Sequence, residues 1–250
     1  MQKDFHFHVT DVLACKAGIE EPLIVAWANQ YTDELKKARL HGIQTQSGIL
    51  GNWADRQIQR TVLVPFHFLP GDNLEKTCVV TPDSRLARML IDEAGDFFEL
   101  GIALHSFQDT YSHQGFTGWL EKENECFPWW YLGSPQPPIG HADMGVVPDV
   151  VSAEWTDLRT GIVIDNRRRA LACAKRTYEI LCGFTEKENN WPDLRVEFQT
   201  LFAIRSYDER KKTLLKLGSG KRFSELTYSK TYRDEFETAA AKQLGIVTMA

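Results

Sequence analysis

The chain has 250 residues, 43% of them hydrophobic, enough for one large domain or two small ones around a substantial core. A formal net charge of −5 gives no global electrostatic reason to expect a nucleic-acid partner. Five cysteines without a CxxC pair predict reduced thiols. No apolar run approaches the ~20 residues of a membrane span, and Met1 to His8 lacks the apolar stretch of a signal peptide, so a cytoplasmic protein is expected.

Helical periodicity dominates the pattern. Val9 to Ala17 reads as a first helix closed by Gly18, and Glu21 to about Ala38 as a second, with Pro22 in its first turn. Gln57 to Phe68 is rich in β-branched and aromatic residues (Thr61, Val62, Val64, Phe66), which allows an extended segment. Pro70-Gly71-Asp72-Asn73 makes a turn. Thr81-Pro82-Asp83-Ser84 starts a long helical region whose broad apolar face runs through Leu86, Leu90, Ala94, Phe97, Phe98, Gly101, Ile102 and His105. Asn124 to Pro148 is irregular and holds Trp129, Trp130 and Tyr131. Helical patterns return at Arg167–Cys182, Pro192–Ile204, Tyr207–Leu217 and Phe223–Leu244. Gly218-Ser219-Gly220-Lys221 resembles the end of a phosphate loop, but its first glycine would be Leu215, so the match fails.

The buried face of the long helical region carries His105, Asp109 and His113. Residues four apart share one face of a helix. At 1.5 Å per residue the two histidines lie ~12 Å apart along the axis, too far to share one ion with bonds of ~2 Å. The spacing therefore predicts more than one metal, with Asp109 between them. All seven histidines fall between positions 6 and 141. A buried carboxylate on such a face is costly without a cation or donors. Candidate partners are His6 and His8 before the first helix, Asp33 on the second, His67 in Pro65-Phe66-His67-Phe68, and His141 with Asp149. His41, before Gly42, reads instead as a helix-dipole partner.

This order of residues resembles the zinc-dependent phospholipase C and S1/P1 nuclease superfamily. The stretch around Asp33 looks like that superfamily's Trp-Ala-Asp segment, and Phe66-His67-Phe68 looks like its Leu-His-Phe. Leu104-His105-Ser106-Phe107-Gln108-Asp109 resembles Val-His-Phe-Ile-Gly-Asp. A closer likeness is to a bacterial family beginning Asp-Phe-His with a similar His-x3-Asp-x3-His segment. The resemblance covers roughly residues 4–155 and implies an all-α, multi-helix single domain over 1–250, with residues 156–250 as packing helices. It implies two or three zinc ions, with manganese or iron also compatible with mixed nitrogen and oxygen ligands. One ion would use Asp33, His67, His105 and Asp109. A second would use His113, His141 and Asp149, with Asp143 in reserve. A third would use Asp109 as bridge, with His6 or His8 and a group from the N-terminus.

Three departures stand out. The superfamily uses a free N-terminal amine as a ligand, in whose place the third position here would need Asp4, His6 and His8, or else the third ion is absent. Its second helical histidine lies further beyond the aspartate than His113 does. Its last pair is His-x3-Asp or His-x3-Glu, whereas residue 145 here is glycine.

The resemblance implies a metal-dependent phosphoric ester hydrolase, phospholipase C-like or nuclease-like, with Asp33 as catalytic general base. Its substrate would be a small-molecule or lipid phosphate ester, with nucleic acid possible through a locally basic channel although net charge does not indicate it. The same residues would also suit a non-catalytic zinc-stabilised scaffold or binding module, or hydrolysis of amides or carboxylic esters. Phe127, Trp129, Trp130 and Tyr131 could line a site mouth, although pinning a proline-rich loop is the plainer reading. Arg167-Arg168-Arg169 could approach a phosphate, although a solvated helix start is the plainer reading.

Overall fold

A computed structural model of the chain describes residues 1–36, 40–47, 54–73, 78–127, 137–226 and 230–250. Helix α1 has two parts, a π-wound Asp4–Val9 and a regular Thr10–Ala17 that ends at Gly18. Helix α2 covers Pro22–Tyr31, shorter than the sequence pattern suggests. The Thr32 hydroxyl bonds Ala28 O, and Asp33 N bonds Gln30 O. These contacts wind the chain into a turn that presents Asp33.

Helix α3 joins a short turn, Arg56–Ile58, to a π-wound Gln59–His67. The β-branched residues that suggested an extended segment are thus helical. The Asp55 carboxylate caps the start by accepting from Gln57 N. Pro65 lies inside the helix, and the Pro65 and Phe66 carbonyls are satisfied from outside. Ser106 Oγ donates to Phe66 O at 2.9 Å, and Gln243 Nε2 donates to Pro65 O at 2.9 Å. Tertiary partners override local propensity here.

The long helical region after Ser84 is two helices, α4 (Arg85–Asp92) and α5 (Phe97–Ser112). Between them Asp96 restarts the helix as an N-cap, accepting from Phe98 N and Glu99 N at 2.8 Å. A short antiparallel hairpin follows the irregular segment, β1 (Glu154–Asp157) with β2 (Ile162–Asp165), pairing Trp155 with Ile164. The remaining helices are α6 (Asn166–Thr185), α7 (Trp191–Ala203), α8 (Tyr207–Leu217) and α9 (Lys230–Met249). The described backbone is therefore mostly helical, with this hairpin as its two-stranded sheet.

α5 is buried almost throughout. Its Gly101 lies against α2 so closely that an added Cβ would fall 2.6 Å from both Ala28 Cβ and Val25 O. One apolar cluster runs from Phe5, Val12 and Leu13 through Leu100, Leu104 and Phe107 to Tyr178, Phe198, Phe202 and Leu214. The late helices therefore share a core with the early ones. A buried pair, Asp4 with Arg210, fastens α8 to the start of α1. Among the described residues no helix is long and apolar enough to cross a membrane.

Candidate metal centre

Six segments deliver side chains to one end of α5. His105 and Asp109 come from its interior, and His113 ends it, its N–H bonded to Asp109 O at 2.9 Å. His6 comes from the π-wound part of α1, and His67 is the last residue of α3. Asp33 comes from the turn after α2. His141 and Asp149 come from tight 3₁₀ turns at Ala142–Met144 and Val147–Asp149. Both π-wound stretches thus carry a site histidine, and π-winding is frequent at functional sites.

These side chains form three groups whose ligand atoms lie within 4.8 Å of one another: Asp33/His67/His105, His6/His105/Asp109 and His113/His141/Asp149. His105 and His113 fall in different groups, as the axial spacing predicted. In the first group His105 Nε2 is 3.2 Å from His67 Nδ1, and each lies 3.3 Å from Asp109 Oδ2. Asp33 Oδ1 completes it at 3.7 Å from His105 and 3.8 Å from His67. In the third group Asp149 Oδ1 is 3.1 Å from His113 Nε2 and Oδ2 is 3.2 Å from His141 Nε2. A tetrahedral ion with ligand bonds of ~2.0 Å separates its ligand atoms by ~3.3 Å. The observed spacings match such an edge, so the residues fit a divalent metal.

Asp109 divides its two oxygens. Oδ2 faces His67 and His105, while Oδ1 faces His6 Nε2 at 3.2 Å and the Met1 amino group at 2.5 Å. Met1 N also lies 3.2 Å from Asp149 Oδ1 and 3.3 Å from Ser112 Oγ.

Outer contacts fix which ring nitrogens carry protons. His67 Nε2 donates to Thr45 O at 2.7 Å, His113 Nδ1 to His67 O at 2.7 Å, and His141 Nδ1 to Gly145 O at 2.8 Å. Carbonyls only accept, so in each neutral ring the nitrogen facing the carboxylates carries a bare lone pair. This is the outer-contact pattern of metal-ligating histidines. Gly145 makes its carbonyl available through a backbone at φ 56°, ψ −133° that L-residues avoid. The glycine at this position therefore anchors His141, while Asp149 supplies the carboxylate.

The electrostatics also call for a cation. Asp33, Asp109 and Asp149 converge on a largely buried space with one ammonium, that of Met1. Burial works against the Asp109 and Asp149 charges, yet the Met1 ammonium and surrounding imidazoles hold both carboxyls well below the usual range. Burial, with His105 and the ammonium nearby, pushes His6 down to about 4. Burial also lowers His113 despite Asp109 and Asp149. His67 and His141 are raised: burial opposes this, but Asp109 and Asp33 prevail at His67, and Asp149 prevails at His141.

Other candidates lie elsewhere. His8 belongs to none of the three groups. Burial, with Lys211, Lys3 and Arg222 around it, pushes it down to about 4. Asp4 is taken by Arg210, whose Nε donates to its Oδ2 at 2.8 Å, and Asp143 accepts from Cys126 N at 3.1 Å. Of Asp4, His6 and His8, His6 is the one that reaches Asp109, and the Met1 amino group faces the same oxygen. His41 is exposed and follows no described helix end.

Trp129, Trp130 and Tyr131 lie outside the described residues, and Phe127 packs on the cluster around Phe68 and Trp155. Arg167 pairs with Asp165 and Arg168 is exposed, as a solvated helix start requires. Arg169 instead turns inward, donating to Ser112 O at 3.3 Å. A groove of about 760 Å³ between Arg60, Arg85, Met89, Trp119 and Val247 holds none of the site's histidines or carboxylates. Sequence reasoning missed the roles of Thr45, Gln108 and Gly145. Gln108, an amide inside the buried stripe, is the one that sequence could have flagged.

Fold and site together define a mostly helical protein with buried His/Asp groups able to hold metal ions. The chain belongs to the family described as "Family of unknown function (DUF6765)", whose profile matches residues 1–246. No curated protein and no solved structure matches it.

Proposed function

We propose that the protein is a zinc-dependent hydrolase of phosphoric esters, related in fold and site to the zinc-dependent phospholipase C and P1 nuclease superfamily. The observation that carries this reading is Asp109, whose two oxygens face two different ligand groups set at metal-ligand spacing. Bound there, two or three zinc ions would supply an acidified water and a counter-charge for a phosphoryl group.

The chain's own residues divide the remaining work. His67, His113 and His141 are pre-oriented by main-chain carbonyls, so their lone pairs need no reorganisation. Asp33, with its side chain 31% exposed, sits at the rim and can orient or accept a proton from attacking water. Asp149 and His141 form a second partly open edge. Arg169, charged and half buried beside Ser112 and Asp149, adds a positive charge for an anionic substrate.

A second reading, a zinc-stabilised scaffold, is favoured by the near-complete burial of His6, His105 and Asp109. A closed site stabilises whereas a catalytic one keeps an open position. Metal analysis of purified protein, with turnover of bis-p-nitrophenyl phosphate and of carboxylic ester and amide controls, separates the readings. Two or three zinc ions with phosphodiester turnover support the hydrolase. Zinc without turnover on any substrate, with a sharp loss of thermal stability in His113→Ala, supports the scaffold. Less than about one zinc per chain and no turnover overturns both.

A further inference from the structure

We propose that Gln108 is a positioning residue: its amide, oriented by Thr10 and Asn29, fixes His6 as the Nδ1–H tautomer and so presents the Nε2 lone pair to a cation beside Asp109. The motif that this stretch resembles has glycine at the position of Gln108, so the device comes from this chain's own residues.

His6, Thr10, Asn29 and Gln108 are all fully buried, so their hydrogen bonds must be settled among themselves. Gln108 Nε2 donates to Thr10 Oγ1 at 2.9 Å, and the Thr10 hydroxyl donates its single proton to Phe5 O at 3.4 Å. Asn29 Nδ2 donates to Gln108 Oε1 at 3.1 Å and to Thr10 Oγ1 at 3.4 Å. Gln108 Oε1 therefore faces His6 Nδ1, 3.0 Å away, as an acceptor, and the ring proton sits on Nδ1.

Reversing both amides would place Asn29's NH₂ where its oxygen now lies, a buried position without a partner. Orphaned buried N–H groups are rarer than under-satisfied carbonyls, so the described orientation is preferred. It has one consequence. His6 Nε2 has no hydrogen-bond partner and points its lone pair at Asp109 Oδ1, 3.2 Å away. Two acceptors repel at that distance unless a cation lies between them. The amide network thus builds a cation position at His6, separate from the carbonyl-anchored histidines.

The tautomer assignment stands on hydrogen bonding alone, and only its link to metal rests on the proposed function. Long-range ¹H–¹⁵N spectra of the histidine rings, recorded on chelator-treated and zinc-loaded full-length protein, test it. The wild-type His6 ring should show a protonated Nδ1 in both states, with Nε2 bare in the chelator-treated protein and metal-bound in the zinc-loaded protein; protonation at Nε2 in the chelator-treated protein overturns the proposal. In Gln108→Leu the proton should move to Nε2, with Asp109 as the remaining acceptor. Zinc affinity at this position should fall about 10–100-fold, as when other outer partners of metal-ligating histidines are removed.

Gln108→Glu keeps an acceptor oxygen and should restore the wild-type ring signature. Thr10→Val, which removes only the orienting hydroxyl, should give a mixture of tautomers and decides the matter if Gln108→Leu does not fold. If the wild-type tautomer is Nδ1–H and no zinc binds, the metal reading fails and the positioning role stands. If zinc binds but neither Gln108→Leu nor Thr10→Val changes tautomer or affinity, the positioning role is refuted.

Discussion

Gly101→Ala is expected to destabilise the protein although alanine is the better helix former. Replacing glycine in a helix interior gains roughly 1 kcal/mol in propensity. Here the new methyl would stand 2.6 Å from Ala28 Cβ and 2.6 Å from Val25 O, and neither can swing aside. Carbon contacts settle at ~3.5–4.0 Å, so α2 and α5 must separate by about 1 Å. Overpacking of this kind costs about 1–3 kcal/mol. The net loss is up to about 2 kcal/mol, or a Tm lowered by up to about 8 °C for a chain of this size.

Gly183→Ala in α6 is the control. It meets nothing within 4 Å and lies inside a helix, so the same substitution should raise Tm. Calorimetry on both variants reads the two signs directly. The same displacement should lengthen the 3.7 Å between Asp33 Oδ1 and His105 Nε2, since α2 leads into Asp33. If Gly101→Ala is as stable as the parent, or gains as Gly183→Ala does, the helix contact is not the constraint argued here.

Two further expectations concern buried charge. Arg210→Met leaves the buried Asp4 carboxyl group without its partner, and should cost about 3–5 kcal/mol in urea unfolding, most of it recovered by adding Asp4→Leu; a single-variant loss under about 1 kcal/mol would remove the pair's structural importance. Zinc affinity should fall with acidification. His67 and His141 are raised above the ordinary histidine value in the metal-free chain, and metal must displace their protons. Affinity should drop by roughly tenfold per pH unit for each proton displaced once the pH is below those raised values, and level off above them. Competition titrations at several pH values would contradict the site if affinity did not change.

The parts of the molecule that sequence revealed were those with helical spacing or explicit punctuation. The four-residue interval of His105, Asp109 and His113 was enough to separate the two histidines. Gly18 marked the end of α1, and the limits of α8 followed from its pattern. The π-wound stretches were opaque because a wider turn changes which residues share a face, as the 2.8 Å bond from Phe68 N to Leu63 O shows. Gln59–His67 was also misread because Ser106 and Gln243, distant in sequence, supply its stabilising contacts. Gly95 and Asp96 did announce the break between α4 and α5, but the continuous apolar face obscured it. The hairpin β1–β2 has strands of four residues, too short for alternation to stand out. Thr45 and His67 anchor neighbouring histidines through carbonyls, which every residue type shares, so their identities do not announce this role; at Gly145 the backbone angles call for glycine, but sequence does not show that its carbonyl is the anchor.

His67 serves two of the groups at once. Its ring belongs with Asp33 and His105, while its carbonyl holds His113, which belongs with His141 and Asp149. The second link is main chain, so a side-chain substitution at residue 67 can empty one group and still leave the anchor of the other in place. The separation between the groups is consequently gauged by the backbone at the end of α3, a ruler that mutation of individual ligands does not erase. Variation among related chains could therefore retune either group chemically while the interval between them stays fixed.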